Sequence, residues 1–461
     1  MNPDTPIQNL DIFILGKSSK DYQNKVKTLQ DNSFSRGCFE WVESGRMSEW
    51  RPRSKFVEDV LGVPEKEFRH SPELCRKALG APRTIRNLRT GKQWDGGVLE
   101  LPTLRGLRES SLVQHLQSPS LPESPGHLAR LTSPRLCMPD TRSRVPGPRT
   151  RRAHTHLRWV PGTPELQVGT NFIDAAQGSG KGVLLVLYGA KDLSKVDVGH
   201  LQSLPENNGA VFQVASNFNA LELMHKFDDR AMARVENYIF DRTQGPFASI
   251  SCAPGLILRH YYPFYSEEAE PDDWRQKFGG RQIELLGDLE VDVRNGYLEI
   301  TEDDFHQNIE AGRIRVAHHR DIQVAFGQVR GSDHEVVEHE QRVSQVFTAT
   351  ADLACTNMEF FQRFPDQMER VIKALLRAAY EGTLRAALSS GRRRVFLTLI
   401  GGGVFANPPS WIVDILEEQL ELITESGLTV IVNTYRGIGE QAVFERLIAL
   451  ARKTGGDLII V

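Results

Sequence analysis

The chain is poor in cysteine and has no long apolar run. Its five cysteines (Cys38, Cys75, Cys137, Cys252, Cys355) are scattered through 461 residues and never spaced as CxxC, so neither a disulfide framework nor a zinc site is indicated. Thiols used this way point to a reducing compartment. No stretch reaches the roughly 18 apolar residues of a membrane helix, and the start, "MNPDTPIQNLDIFILGKSSKD", lacks a basic region followed by a sustained apolar run. A cytoplasmic or nuclear location is expected. Excess charge is also missing: the net value of −3 excludes any global attraction to nucleic acid or membrane, so neither is an expected partner. No repeat of fixed period is visible.

Hydrophobic residues at 40% and charged residues at 25% are ordinary for a globular protein, and the length allows two or three units. Three zones differ in texture. Residues 1–82 mix short apolar runs with charged helical stretches and read as a small α-rich extension. Residues 83–162 are rich in Arg, Pro and Ser and read as a basic disordered insertion or linker. Its cluster Arg149, Arg151, Arg152, His154, His156 and Arg158 reads as a solvated linker, with phosphate contact as the alternative. Residues 163–461 carry alternating strand and helix patterns. "KGVLLVLYGA", "GAVFQVAS", "RIRVAHH", "DIQVAFGQV", "RVSQVFTATA", "RVFLTLI", "GLTVIVNTY" and "DLIIV" read as strands. "QMERVIKALLRAAYEGTLRAAL", "SWIVDILEEQLELITES" and "EQAVFERLIALARK" read as helices. Such alternation predicts an α/β fold with a mainly parallel sheet and ligand binding beyond the carboxyl ends of its strands.

"DAAQGSGKGVLLVLYG" imitates a phosphate-binding P-loop but fails it. Ala175 stands where the first glycine belongs, Gly182 replaces the Ser or Thr after Lys181, and the strand follows the glycines instead of preceding them. A better candidate is "VFLTLIGGGVFANPPSWI" (395–412), where Gly401, Gly402 and Gly403 follow a strand and Asn407 with Pro408 suggests a helix cap and first turn. Glycine lets backbone N–H groups approach an anion closely beside a helix start, which suits a diphosphate; a flexible strand–helix turn is the plain alternative. "AVFQVASNFNALEL" sets Asn217 and Asn219 just past another strand, where their carboxamides suit a ribose diol or, equally, a turn or helix cap.

Taken together, "QVASN" (213–217) and "IGGGVFA" (400–406), in this order and each ending a strand, resemble the two signature stretches of macrodomains. The resemblance covers residues 182–461. It implies a three-layer α/β/α macrodomain-like sandwich with a mixed, mainly parallel sheet, binding of ADP-ribose or an ADP-ribosylated protein, and no metal or cofactor. By that resemblance Asn217 contacts the distal ribose. Gly401, Gly402, Gly403 and Val404 wrap the diphosphate, Phe405 stands beside the distal ribose, and Asn433 follows the late helix near the nucleoside. Gln213 opens the first signature stretch. Two departures stand out. Val214 occupies the place of a further family asparagine, and the usual catalytic loop is replaced by "DRTQGPFASISCAPGLILRHYY" (241–262), which offers Gly245, Pro246, Ser249 and Ser251 but no matching acid. This pattern is similar to a divergent branch of MavL-type hydrolases that remove ADP-ribose from ubiquitin.

Cleavage of a ribosyl bond passes through an oxocarbenium-like state and calls for a carboxylate. In "VFTATADLACTN", Asp352, followed by Asn357, is the first candidate, with a helix N-cap as its alternative role; Asn217 and Asn219 would assist. "GSDHEVVEHEQ" holds Asp333 and Glu335 in reserve, and its Asp333, His334, Glu335, Glu338 and His339 match no metal-ligand spacing. Cys252 and Cys355 lack a neighbouring base. The expected activity is hydrolysis of ADP-ribose from a modified protein. Alternatives are a non-catalytic ADP-ribose reader, and an interaction protein working through its Arg-rich segment.

Overall fold

The short apolar runs bounded by turn residues become the strands of one large sheet. The computed structural model describes residues 55–79, 83–117, 181–190, 192–222, 235–241, 243–261, 283–287, 289–294, 296–305, 309–330 and 333–461. Among them the strands are β1 (Thr84–Arg86), β2 (Gln93–Asp95), β3 (Val98–Glu100), β4 (Val183–Tyr188), β5 (Val211–Ala215), β6 (Asp292–Arg294), β7 (Tyr297–Glu299), β8 (Ala317–Gln323), β9 (Phe326–Arg330), β10 (Asp333–Val336), β11 (Arg342–Thr348), β12 (Arg394–Thr398), β13 (Thr429–Asn433) and β14 (Leu458–Ile460). The α-helices are α1 (Phe56–Leu61), α2 (Glu65–Phe68), α3 (Pro72–Ala78), α4 (Leu104–Gln117), α5 (Val198–Ser203), α6 (Gln244–Ser251), α7 (Ala253–Tyr261), α8 (Met358–Arg363), α9 (Pro365–Ser389), α10 (Pro409–Glu418), α11 (Leu420–Ser426) and α12 (Gln441–Lys453).

Eight strands form the main sheet in the order β14-β4-β13-β12-β5-β11-β8-β3. Neighbours from β14 through β11 run parallel, while β8 is antiparallel to both β11 and β3. This is the mixed, mainly parallel α/β sheet anticipated from the alternation. Strand pleat sends paired residues to the same face. Gln213 of β5 and its partner Val346 face α9, where Gln213 Nε2 donates to Ala379 O (3.1 Å) and Thr383 Oγ1 (3.3 Å). Gln345 of β11 faces the other way and donates to Gln202 Oε1 on α5 (2.8 Å) and Ala248 O on α6 (2.7 Å). Helices therefore cover both faces, in three layers.

The expected boundaries need correction. Residues 83–117 are not a disordered linker: they contain the β1–β2 hairpin, the edge strand β3 of the main sheet, and α4. Short apolar positions at alternate sites sufficed once a sheet edge was there to pair with, a tertiary cause that composition does not report. The described residues from 55 to 461 group in one compact unit. The α-rich character expected for 1–82 appears in α1–α3, whose Phe56, Val57, Val60 and Phe68 join Tyr238, Ile250, Leu256 and Tyr261 in a second apolar cluster. Residues 1–54 and 118–180, including the Arg-rich cluster and the part of the false P-loop before Lys181, lie outside the described residues.

Two further expectations shift. The helix anticipated in "SWIVDILEEQLELITES" breaks at Gln419, whose N–H turns to Leu416 O (3.1 Å), a tighter three-residue step, giving α10 and α11. The stretch 241–262, expected as a replacement loop, folds largely as α6 and α7.

Candidate functional site

Three connections leave the same edge of the sheet, because β5, β11 and β12 are adjacent and parallel: residues 216–222, 349–357 and 399–408. The β12–β5 ladder stops at the pair Phe396–Phe212, whose rings stack at 4.4 Å with an interplanar angle of 1°. Beyond it the strands diverge, and the Thr398 N–H bonds to Gln213 Oε1 (3.2 Å) instead of to main chain. The gap is a cavity of about 20 Å³ whose lining includes Gln213, Val214, Gly245, Leu397, Thr398 and Asn433. That space suits about one water and no nucleotide.

Three expected ligand-binding residues thus meet at one crevice, but two have other employment. Gln213 is buried and bonded to α9 and β12. Asn433 donates to Val196 O (2.8 Å) and accepts from the Tyr435 N–H (3.0 Å), holding the strand end. Both act as structural ties.

The glycine loop is held from beneath. Asn407 Oδ1 accepts from Thr350 Oγ1 (2.8 Å), while its Nδ2 donates to Ala351 O (3.0 Å) and Phe405 O (3.1 Å). Asn407 is therefore a strap to the end of β11 and not the helix cap; Pro408 takes the cap position and Pro409 starts α10. Within the loop, Gly402 N–H donates to Leu399 O (3.0 Å), Ala406 N–H to Gly403 O (3.1 Å) and Asn407 N–H to Gly401 O (2.9 Å). Among the described residues no acceptor takes the N–H groups of Gly401, Gly403, Val404 or Phe405. Gly403 and Val404 are exposed, so the loop offers unpartnered amides to solvent shortly before α10, an arrangement suited to an anion.

Asn217 and Asn219 sit in the neighbouring turn, at 3% and 2% exposure. Asn219 Oδ1 accepts from the Leu221 N–H (3.2 Å). The β6–β7 hairpin covers both: its Gly296 carbonyl accepts from the Phe218 N–H (2.8 Å), and its backbone approaches so closely that a Cβ at Gly296 would lie 2.7 Å from Asn217 Cβ. Tyr297 of this hairpin hydrogen-bonds to Asn217 and places its ring 5.9 Å from that of Phe405. Burial raises the Tyr297 hydroxyl far above its ordinary pKa, with Glu222, Asp241 and Asp352 adding to the rise. Tyr297 therefore links the 216–222 and 399–408 connections.

Asp352 is close but already engaged. Its Oδ1 accepts from the Ala354 (2.8 Å) and Cys355 (3.1 Å) N–H groups, and its Oδ2 from the Thr356 N–H and Oγ1, both at 3.1 Å. A carboxylate taking four local donors caps a turn, which is the alternative role anticipated for Asp352. Asn357 ties the same turn to β7 through Leu298 O (3.0 Å) and the Ile300 N–H (2.8 Å). Ser249 and Ser251 are fully buried, Ser251 donating to Phe326 O (2.6 Å), and do not face a ligand. Glu335 and Glu338 are exposed, and His339 Nε2 donates to Ser203 O (3.0 Å). Among the described residues no group of three or more His, Cys, Asp or Glu is placed to hold a metal. Cys252 is buried, with its thiol pKa raised by burial.

The sequence reasoning missed Glu222. It ends the Asn217 turn, and its Oε1 is shielded from solvent with no hydrogen-bond partner among the described residues. Burial raises its carboxyl well above the ordinary range; nearby Asp241 adds to this and Arg259 opposes it. Asp241 is itself raised by burial against the N–H of Thr243 (2.8 Å). The usable signal was an acid five residues past Asn217 in an otherwise apolar "NALELM".

No family model matches the sequence, and no curated protein matches it. Among solved structures, a poly(ADP-ribose) glycohydrolase from Thermomonospora curvata aligns over 84% of this chain and 99% of its own, at 12% identity and a TM-score of 0.37. The enzyme of the same name from Deinococcus radiodurans, in complex with ADP-ribose, aligns over 57% and 82% respectively, at 14% identity and a TM-score of 0.29. Likenesses this distant carry no conclusion about the chemistry of this chain.

Proposed function

We propose that the chain binds ADP-ribose and hydrolyses it from a modified protein. The supporting observation is the open-amide loop at 401–405, set at the same sheet edge as the Asn217 turn and joined to it through the Phe405–Tyr297 contact. The macrodomain-like order of "QVASN" and "IGGGVFA" supports the same ligand. In this reading the amides of Gly401, Gly403 and Val404 bind the diphosphate, and Phe405 and Asn217 flank the distal ribose. Glu222 replaces Asp352 as the acid. Two neighbouring carboxyls in a shielded site do not both ionise readily, so Glu222 holds a proton for the leaving group while Asp241 supplies negative charge to the oxocarbenium-like ribose. Ubiquitin is the substrate protein suggested by the MavL-type resemblance. The protein's surroundings are cytoplasmic or nuclear.

A reader without catalysis is the second reading, favoured by the engagement of Asp352 and by the covering of Asn217 and Asn219. Calorimetry with ADP-ribose on the wild type and on Gly403→Glu, where a side chain meets open space, tests the loop. Binding by the wild type and its loss in the variant are expected; equal affinities would remove the loop from the site. A release assay on an ADP-ribosylated protein separates hydrolase from reader. Loss of release in Glu222→Gln with binding kept is the hydrolase outcome, and unchanged turnover would sink the assignment of the acid.

A further inference from the structure

Arg259 of α7 is a buried cation, at 2% exposure, whose guanidinium hydrogen-bonds to no carboxylate among the described residues, although the Glu222 charge acts on it. An unpaired buried guanidinium is costly, so its neighbours have to hold it. Four do. Its Nε donates to Ala220 O (2.8 Å), Nη2 to Ser249 Oγ (3.4 Å) and Nη1 to His319 Nδ1 (3.4 Å), while the guanidinium carbon lies 3.6 Å from the centre of the Phe347 ring. His319 is kept neutral by burial and by Arg259, which leaves its Nδ1 as an acceptor, and its ring also bonds to the Gly96 backbone. Gly96 belongs to the stretch between β2 and β3, and a Cβ at neighbouring Gly97 would lie 2.3 Å from Arg320 O, so that backbone is pressed against β8.

At the other end Ala220 holds φ at 58°, a left-handed conformation unfavourable to a residue with a Cβ. Its N–H donates to Asn217 O (3.0 Å) and Leu221 O accepts from the Asn217 N–H (2.8 Å), closing the turn that delivers Glu222. We propose that Arg259 is a positioning residue: through the Ala220 carbonyl it fixes the strained 217–222 turn, and so the place of the Glu222 carboxyl, with His319 and Gly96 bracing it from behind. The catalytic part rests on the reading of Glu222 as the acid; the positioning of the turn does not. The titratable and charged groups facing this region are Glu222, Asp241, Tyr238, Tyr297, Cys252 and His319.

The test uses the full chain with Arg259→Lys, which keeps the charge but not the forked donors, and His319→Gln and His319→Leu. Hydrogen exchange at the Ala220 and Leu221 amides is read against the β13 amides. Roughly 10- to 100-fold faster exchange confined to the turn is expected in Arg259→Lys and His319→Leu, and near wild-type exchange in His319→Gln, which retains an acceptor and a donor. If the wild type releases ADP-ribose, turnover and its pH profile should change in Arg259→Lys by a larger factor than ADP-ribose affinity, which falls only as far as Asn217 contributes to it. Unaltered exchange in Arg259→Lys overturns the proposal. Raised exchange in a chain without release supports the positioning role and removes only the hydrolase reading.

Discussion

Gly245 and Glu222 occupy one space: a Cβ at position 245 would lie 2.2 Å from Glu222 Oε1 and 2.6 Å from Ala215 O. The glutamate end can swing away, but the β5 carbonyl cannot, so the first turn of α6 and the end of β5 meet without room for a methyl group. Gly245→Ala should destabilise by about 1–3 kcal/mol. It should also displace Glu222, so that a release assay shows a larger loss than urea titration of the fold would explain.

The glycines of the 401–405 loop should differ from one another. Gly401 sits at φ 72°, and a Cβ there would meet Thr350 Cγ2 at 2.4 Å, whereas nothing lies within 4 Å of a Cβ at Gly403. Gly401→Ala should cost about 1–2 kcal/mol from the left-handed backbone alone. Gly403→Ala should melt within a degree or two of wild type, and differential scanning calorimetry on the pair gives the comparison.

Asp352→Ala leaves the donors of Ala354, Cys355 and Thr356 without their acceptor and should cost about 1–2 kcal/mol. Asp352→Asn keeps one carbonyl oxygen and should lose less. Neither change should abolish ADP-ribose release beyond what the stability loss predicts; a release defect in Asp352→Asn at full stability would restore Asp352 as the acid.

Glu65 on α2 supplies a pH dependence. Burial pushes its carboxyl up to about 7, against hydrogen bonds from Tyr261 and from the Val235 and Glu236 amides. A raised folded value means that the folded state holds the proton longer than the unfolded chain. Its contribution is complete below the ordinary glutamate range and is lost as pH rises to about 7. Denaturant midpoints should therefore fall across that window in the wild type, and the slope should flatten in Glu65→Gln.

Much of the sheet was legible because β4, β5, β11, β12 and β13 are buried on both faces, so their apolar runs are continuous and end at turn residues. The edge strand β3 was hidden, since Val98 and Leu99 are only half-buried and sit among Arg and Pro in sequence. At the site, Asn217 and the Gly401 loop were legible because each directly follows a buried strand. The division of labour among the acids was not, because whether a carboxylate caps a turn or stands shielded depends on which N–H groups face it. Asp352 and Glu222 look alike as letters.

The sequence alone determined the alternation of strand and helix, hence the parallel sheet and the edge at which its glycine and asparagine turns emerge, because periodicity and turn chemistry are local. Only the tertiary structure decided that Asn407 straps the glycine loop to β11 and that a hairpin covers Asn217. It also decided that Arg259, bonded to His319, donates to the Ala220 carbonyl in the turn before Glu222. These are contacts between residues far apart in the chain, and their energies arise from burial and from partners that only folding brings together.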